Sequence, residues 1–100
     1  MPTYRLTHRA EINLAEIWWY VATDSPINAD RLLDRLYDAF ALLADFPEMS
    51  QEWSPETAPG VRRFPIGNYV IFHRPTEYGV LVLRILHGKR DLRRLLQDIE

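Results

Sequence analysis

The 100-residue chain contains no cysteine. That excludes disulfides and thiolate metal sites and fits a reducing compartment. No apolar run approaches the roughly 18 residues of a membrane span. The N-terminal MPTYRLTHRAEI lacks the apolar stretch of a secretory signal. A soluble cytoplasmic protein with no membrane partner is the expectation. The three histidines, at 8, 73 and 87, do not fall at metal-ligand spacing. No GxxxxGK(S/T) phosphate loop and no GxGxxG occur. No serine stands in a nucleophile-elbow context. No metal or cofactor is therefore expected, and a hydrolase of standard type is disfavoured.

What is present is enough for one domain spanning 1–100. Hydrophobic residues make up 47% and aromatics 12%, which supports a real if thin core. The net charge of −2 hides an asymmetry. Residues 1–59 carry 4 Lys/Arg against 10 Asp/Glu, and residues 60–100 carry 8 against 4. An anionic partner is expected at the C-terminal part. Solvation of two ordinary charged faces is the plain alternative.

TYRLT (3–7) alternates and predicts a strand. Thr7 is a candidate cap for a helix over 8–23, whose stripe is Ala10, Leu14, Ile17, Trp18 and Val21. Ser25-Pro26 starts a second helix to about 45, with Ala29, Leu33, Leu36, Phe40 and Leu43 on one face. So short a link predicts an antiparallel helix hairpin. Residues 46–60, with three prolines, predict an irregular loop. Strands follow at 61–66, 69–74 and 80–87, with a turn at Gly67-Asn68 and a loop at 75–79. A short helix closes the chain at 90–99. The order β-α-α-β-β-β-α predicts an α+β fold, with the hairpin on one face of a small, mostly antiparallel sheet and the other face at least partly free.

Strand parity then divides the residues between two faces. Leu81, Leu83 and Ile85 form a wholly apolar set before His87, and Val70 and Phe72 form another. Assigned to the helix-covered side, they leave Tyr69, His73 and Arg84 together on the open face. Lys89 and Arg90 rim that face in HGKRDL (87–92). The expected result is an anion-attracting patch. Each residue also has a bland reading. Arg84 can pair with Glu77 or Asp91, and His73 can be a half-buried ring.

Four stretches resemble the RelE/ParE superfamily of type II toxins, closer to the ParE branch. They are RAEINLAEIWWYVA (9–22), DFPEM (45–49), GVRRFPIGNYVIFHR (60–74) and ILHGKRDL (85–92). They stand in family order and cover nearly the whole chain. The resemblance implies a toxin neutralised by a cognate antitoxin protein and directed at DNA gyrase, without sequence-specific nucleic-acid binding of its own. Arg62, Tyr69, Arg84, His87, Arg90 and Asp91 match recurrent ParE-type positions. Together with His73 and Lys89 they are the target-binding candidates. Two alternatives stay open: a RelE-like ribosome-dependent messenger-RNA endonuclease, and a relic that binds antitoxin without toxicity. The nuclease branch carries a Tyr after its GKR-like stretch, whereas this chain reads DLRRLLQDIE there. No catalytic residue is therefore assigned. Two further departures are His73, where a second Tyr is common, and Ser50, where Gly is common. Ile12 and Trp19 lie nearly opposite the core stripe of the first helix, and Leu42 sits among charges on the second. Exposed apolar groups of this kind mark partner sites, so these three are the antitoxin-binding candidates.

Overall fold

A computed structural model describes residues 1–53 and 58–91. The chain runs β1 (Thr3–Leu6), α1 (His8–Ala22), α2 (Pro26–Asp45), a single 3-10 turn (Pro47–Met49), β2 (Gln51–Glu52), β3 (Arg62–Ile66), β4 (Tyr69–Thr76) and β5 (Gly79–His87). The closing helix expected at 90–99 lies, from residue 92 on, outside the described residues.

Local chemistry starts both helices where the sequence places them. Thr7 Oγ1 accepts the Ala10 N–H at 3.0 Å, and Ser25 Oγ accepts the Asn28 N–H at 3.2 Å. Each satisfies one of the amides a helix start leaves unpaired. Pro26 needs no such partner. The hairpin is antiparallel, and the indole N–H of Trp18 reaches Asp30 across its seam at 2.8 Å.

The sheet is five-stranded in the order β1-β5-β4-β3-β2. β1 pairs parallel with β5, and the other pairs are antiparallel. Gly79, where β5 meets β1, has φ +141°. A Cβ there would lie 2.0 Å from the Thr3 carbonyl oxygen, so only glycine fits. The expected loop at 75–79 shrinks to a tight turn, because Pro75 and Thr76 still belong to β4. The expected 46–60 loop also contains the 3-10 turn and β2.

Two apolar clusters hold the sheet. Leu14, Ile17, Leu36, Phe40 and Leu43 pack from the helices onto Tyr69, Ile71, Val80, Val82 and Ile85. A second cluster joins Ala58, Val61, Phe72, Leu83 and Leu86, with Trp53 edge-on to Phe72 at 5.4 Å. The face expected to be free is therefore covered.

Strand parity is corrected at the same point. Phe72 pairs with Arg84 but His73 pairs with Val82, so Leu83 is an extra residue on β5. Such a bulge breaks two-residue alternation. N-terminal to it, Val80 and Val82 face the helices; C-terminal to it, Ile85 does. On β4 the helix-side residues are Tyr69 and Ile71, not Val70 and Phe72. Both sheet faces are apolar, so hydrophobicity alone could not tell one from the other.

Candidate functional site

The expected open-face trio does not form an exposed patch. His73 is 0% exposed, Arg84 2% and Tyr69 7%. Arg84 Nε donates to Asn13 Oδ1 at 2.9 Å, and the Ile85 N–H donates to the same oxygen at 3.1 Å. One oxygen of α1 thus accepts both the Arg84 Nε–H and a backbone amide beside the bulge. Asn13 is legible in the sequence as a polar residue at a core-spaced position beside Ala10, Leu14 and Ile17, a signal that strand parity does not contain. His73 sits beside Val82 and Arg62 in the sheet. Neither ring nitrogen has a hydrogen-bond partner. Burial, with a smaller contribution from the Arg62 charge, pushes its pKa down to about 4.

Arg62 is engaged within the fold. Its guanidinium donates to Ser50 Oγ at 3.2 Å, to the Glu48 carbonyl at 3.2 Å and to the Ser50 carbonyl, and it lies 3.8 Å from both Glu48 and Glu52. It ties the 3-10 turn and β2 to β3. Ser50 is a partner in this clasp: its hydroxyl also donates to the Pro47 carbonyl at 3.1 Å.

What does assemble at the surface is the C-terminal end of β5. His87 meets Tyr69 edge-on, with ring centroids 5.3 Å apart. Arg90 Nη2 donates to Tyr69 Oη at 3.3 Å, while its guanidinium lies 3.8 Å from the centre of the Tyr20 ring. Burial lifts the Tyr69 phenol above its ordinary pKa, opposed by Arg90. His87 is held below its ordinary value by desolvation first, then by Arg90 and Lys89, against Asp91. Asp91 accepts the His87 N–H at 2.8 Å and closes the turn. A cleft of about 200 Å³ between α1 and this turn is lined by Asn13, Glu16, Ile17, Tyr20, Ile85, Arg90 and Asp91. Tyr20 was missed in the sequence, because its stacking partner is 70 residues away.

The second surface is the outer side of the hairpin. Trp19 is 71% exposed and stands edge-on to Trp18, with Ile12 exposed on the same side of α1. Leu42 is exposed as well. It is turned about 120° around α2 from Asp30, which faces α1, so it stands apart from the Ile12–Trp19 stripe. Among the described residues, no group of three or more His, Cys, Asp or Glu side chains is placed to hold a metal ion. No helix there is long and apolar enough to cross a membrane.

A family model described as the ParE toxin of the type II toxin-antitoxin system parDE matches residues 4–92. The chain belongs to the ParE toxin family. A ParE relative, Toxin ParE1 of Caulobacter vibrioides, is 29% identical over 96 residues, covering 93% of this chain and 96% of its own length. Among solved structures, the chromosomal ParDE system of P. aeruginosa matches with a TM-score of 0.70 at 21% identity, covering 87% of this chain and 96% of that one. The RelBE2 toxin-antitoxin complex of Mycobacterium tuberculosis matches with a TM-score of 0.62 at 23% identity, covering 87% and 99%. These two likenesses speak to the fold: a ParE chain is built on the α+β plan that the sequence order predicts.

Proposed function

We propose that this ParE-family chain blocks replication by binding DNA gyrase, not by catalysing a reaction, and that a cognate antitoxin neutralises it. The observation that carries the reading is the state of the polar groups near the sheet. Nuclease chemistry needs an acid and a base within reach of the substrate. His73 and Arg84 are buried, and Arg62 is engaged in its clasp with Glu48, Ser50 and Glu52. Of the candidate groups among the described residues, Lys89 and Arg90 beside His87 remain at the surface and form a cationic rim suited to binding.

The antitoxin reading draws on the family and on the two solved neighbours, both described as toxin-antitoxin assemblies. The outer hairpin face offers Ile12 and Trp19 for an amphipathic segment, with Leu42 as a separate contact. This reading carries with it an action in the cytoplasm, where gyrase and an antitoxin would be met. Controlled expression without antitoxin tests the proposal. Filamentation with a DNA-damage response is the expected phenotype. A rapid stop in translation points to the messenger-RNA endonuclease, and normal growth to a relic that only binds antitoxin.

A further inference from the structure

The turn after β5 combines three features. First, Lys89 and Arg90 have no carboxylate partner among the described residues. Arg62, by contrast, has Glu48 and Glu52. Asp91, the carboxylate next in sequence, already accepts the His87 N–H. Two adjacent cations with no ion-pair partner among the described residues favour an anion.

Second, Arg90 is held in place before any ligand arrives. The Tyr20 ring supports the flat of its guanidinium, and Tyr69 Oη takes one N–H. A free arginine loses much rotamer freedom on binding, and a pre-ordered one loses less.

Third, the His87 tautomer is fixed. Its Nδ1 accepts the backbone N–H of Lys89 at 3.2 Å and of Arg90 at 3.0 Å. A nitrogen that accepts carries no proton, so the neutral ring bears its hydrogen on Nε2. Among the described residues Nε2 has no hydrogen-bond partner, and His87 is partly exposed. It is therefore a donor awaiting an acceptor.

We propose that the Gly88–Asp91 turn is a compact oxyanion site that binds a single carboxylate on the surface of the target protein through Lys89, the open edge of Arg90 and the Nε2–H of His87. This deepens the reading of that end as the target surface and rests on it. A carboxylate matches the planar fork of an arginine, with a second donor beside it. A nucleic-acid strand fits less well. It needs a basic track along several phosphates, whereas the donors gathered at this turn suit one small anion.

Two measurements on the isolated toxin test the site without gyrase. Long-range proton–nitrogen NMR at pH 7.5 reads the ring: Nε2 protonated is expected, and a proton on Nδ1 overturns the proposal. Titration with N-acetyl-Gly-Glu-Gly-amide, and separately with a ten-nucleotide thymidine strand, reads the ligand. The glutamyl peptide is expected to shift the resonances of His87, Lys89 and Arg90. His87→Asn keeps a side-chain acceptor near the Nδ1 position and removes the Nε2 donor. It is expected to keep the melting temperature while weakening peptide binding at least tenfold, and Arg90→Ala and Lys89→Ala to weaken it likewise. An oligonucleotide that binds while the peptide does not overturns the proposal, as does a His87→Asn protein that binds the peptide normally. Peptide binding without gyrase inhibition keeps the oxyanion site and removes gyrase as its target. Full inhibition by His87→Asn and Arg90→Ala removes the site from target recognition.

Discussion

His73 makes a sharp test of the packing. Its ring is fully buried without a partner for either nitrogen, and its pKa falls from 6.5 to about 4. The unfolded chain takes up the proton near pH 6.5, whereas the folded chain resists it until about pH 4. Between those values the unfolded state binds more protons, so stability falls as pH falls. It is fully present above pH 6.5, and by pH 4 the loss reaches about 3 kcal/mol. The perturbation is His73→Leu, which replaces the ring by an apolar group of similar bulk. Urea denaturation of both proteins between pH 7.5 and 4 separates His73 from the other titrating groups, because those are common to the pair. The wild type is expected to lose about 3 kcal/mol more than the variant over that range. At pH 7.5 the variant should be no less stable, since removing unpartnered buried polar atoms is favourable. Parallel pH profiles for the two proteins would refute a buried, unpartnered His73.

Other outcomes follow from the same geometry. Arg84→Ala is expected to cost about 2 kcal/mol or more in denaturant unfolding, because it empties a buried site; a toxic-site role with unchanged stability is the opposite result. Asn13→Leu should cost about 3 kcal/mol, since it removes the oxygen that accepts both the Arg84 Nε–H and the Ile85 amide. Gly79→Ala forces β1 away from β5 and should lower the melting temperature by about 10 °C or more, a change that calorimetry reads directly. Trp19→Ala should leave stability within about 0.5 kcal/mol while weakening antitoxin binding by about 2 kcal/mol or more in calorimetric titration.

The sequence carried the element order well, because capping and periodicity are local signals. Thr7, Ser25 and Pro26 start the helices they were expected to start. The parallel pairing of β1 with β5 was invisible, since it depends on contacts 76 residues apart. The sheet faces failed for a sharper reason. Alternation says which residues share a face, not which face, and one inserted residue at Leu83 changed even that. Both faces being apolar removed the remaining cue. Of the candidate site residues, Lys89, Arg90 and His87 converge at the surface, while Arg62, His73 and Arg84 are drawn into the fabric of the fold. The network that absorbs Arg84 runs through Asn13, a lone polar residue whose spacing already placed it in the core.

The central claim is that this ParE chain acts by binding gyrase through the end of β5. The most direct measurement is DNA supercoiling by purified gyrase, with wild-type toxin and the Arg90→Ala variant, alongside ribosome-bound messenger RNA as the competing substrate. Inhibition of supercoiling by the wild type, at least tenfold weaker inhibition by a folded Arg90→Ala protein, and intact messenger RNA are expected. Cleaved messenger RNA with gyrase unaffected would contradict the account.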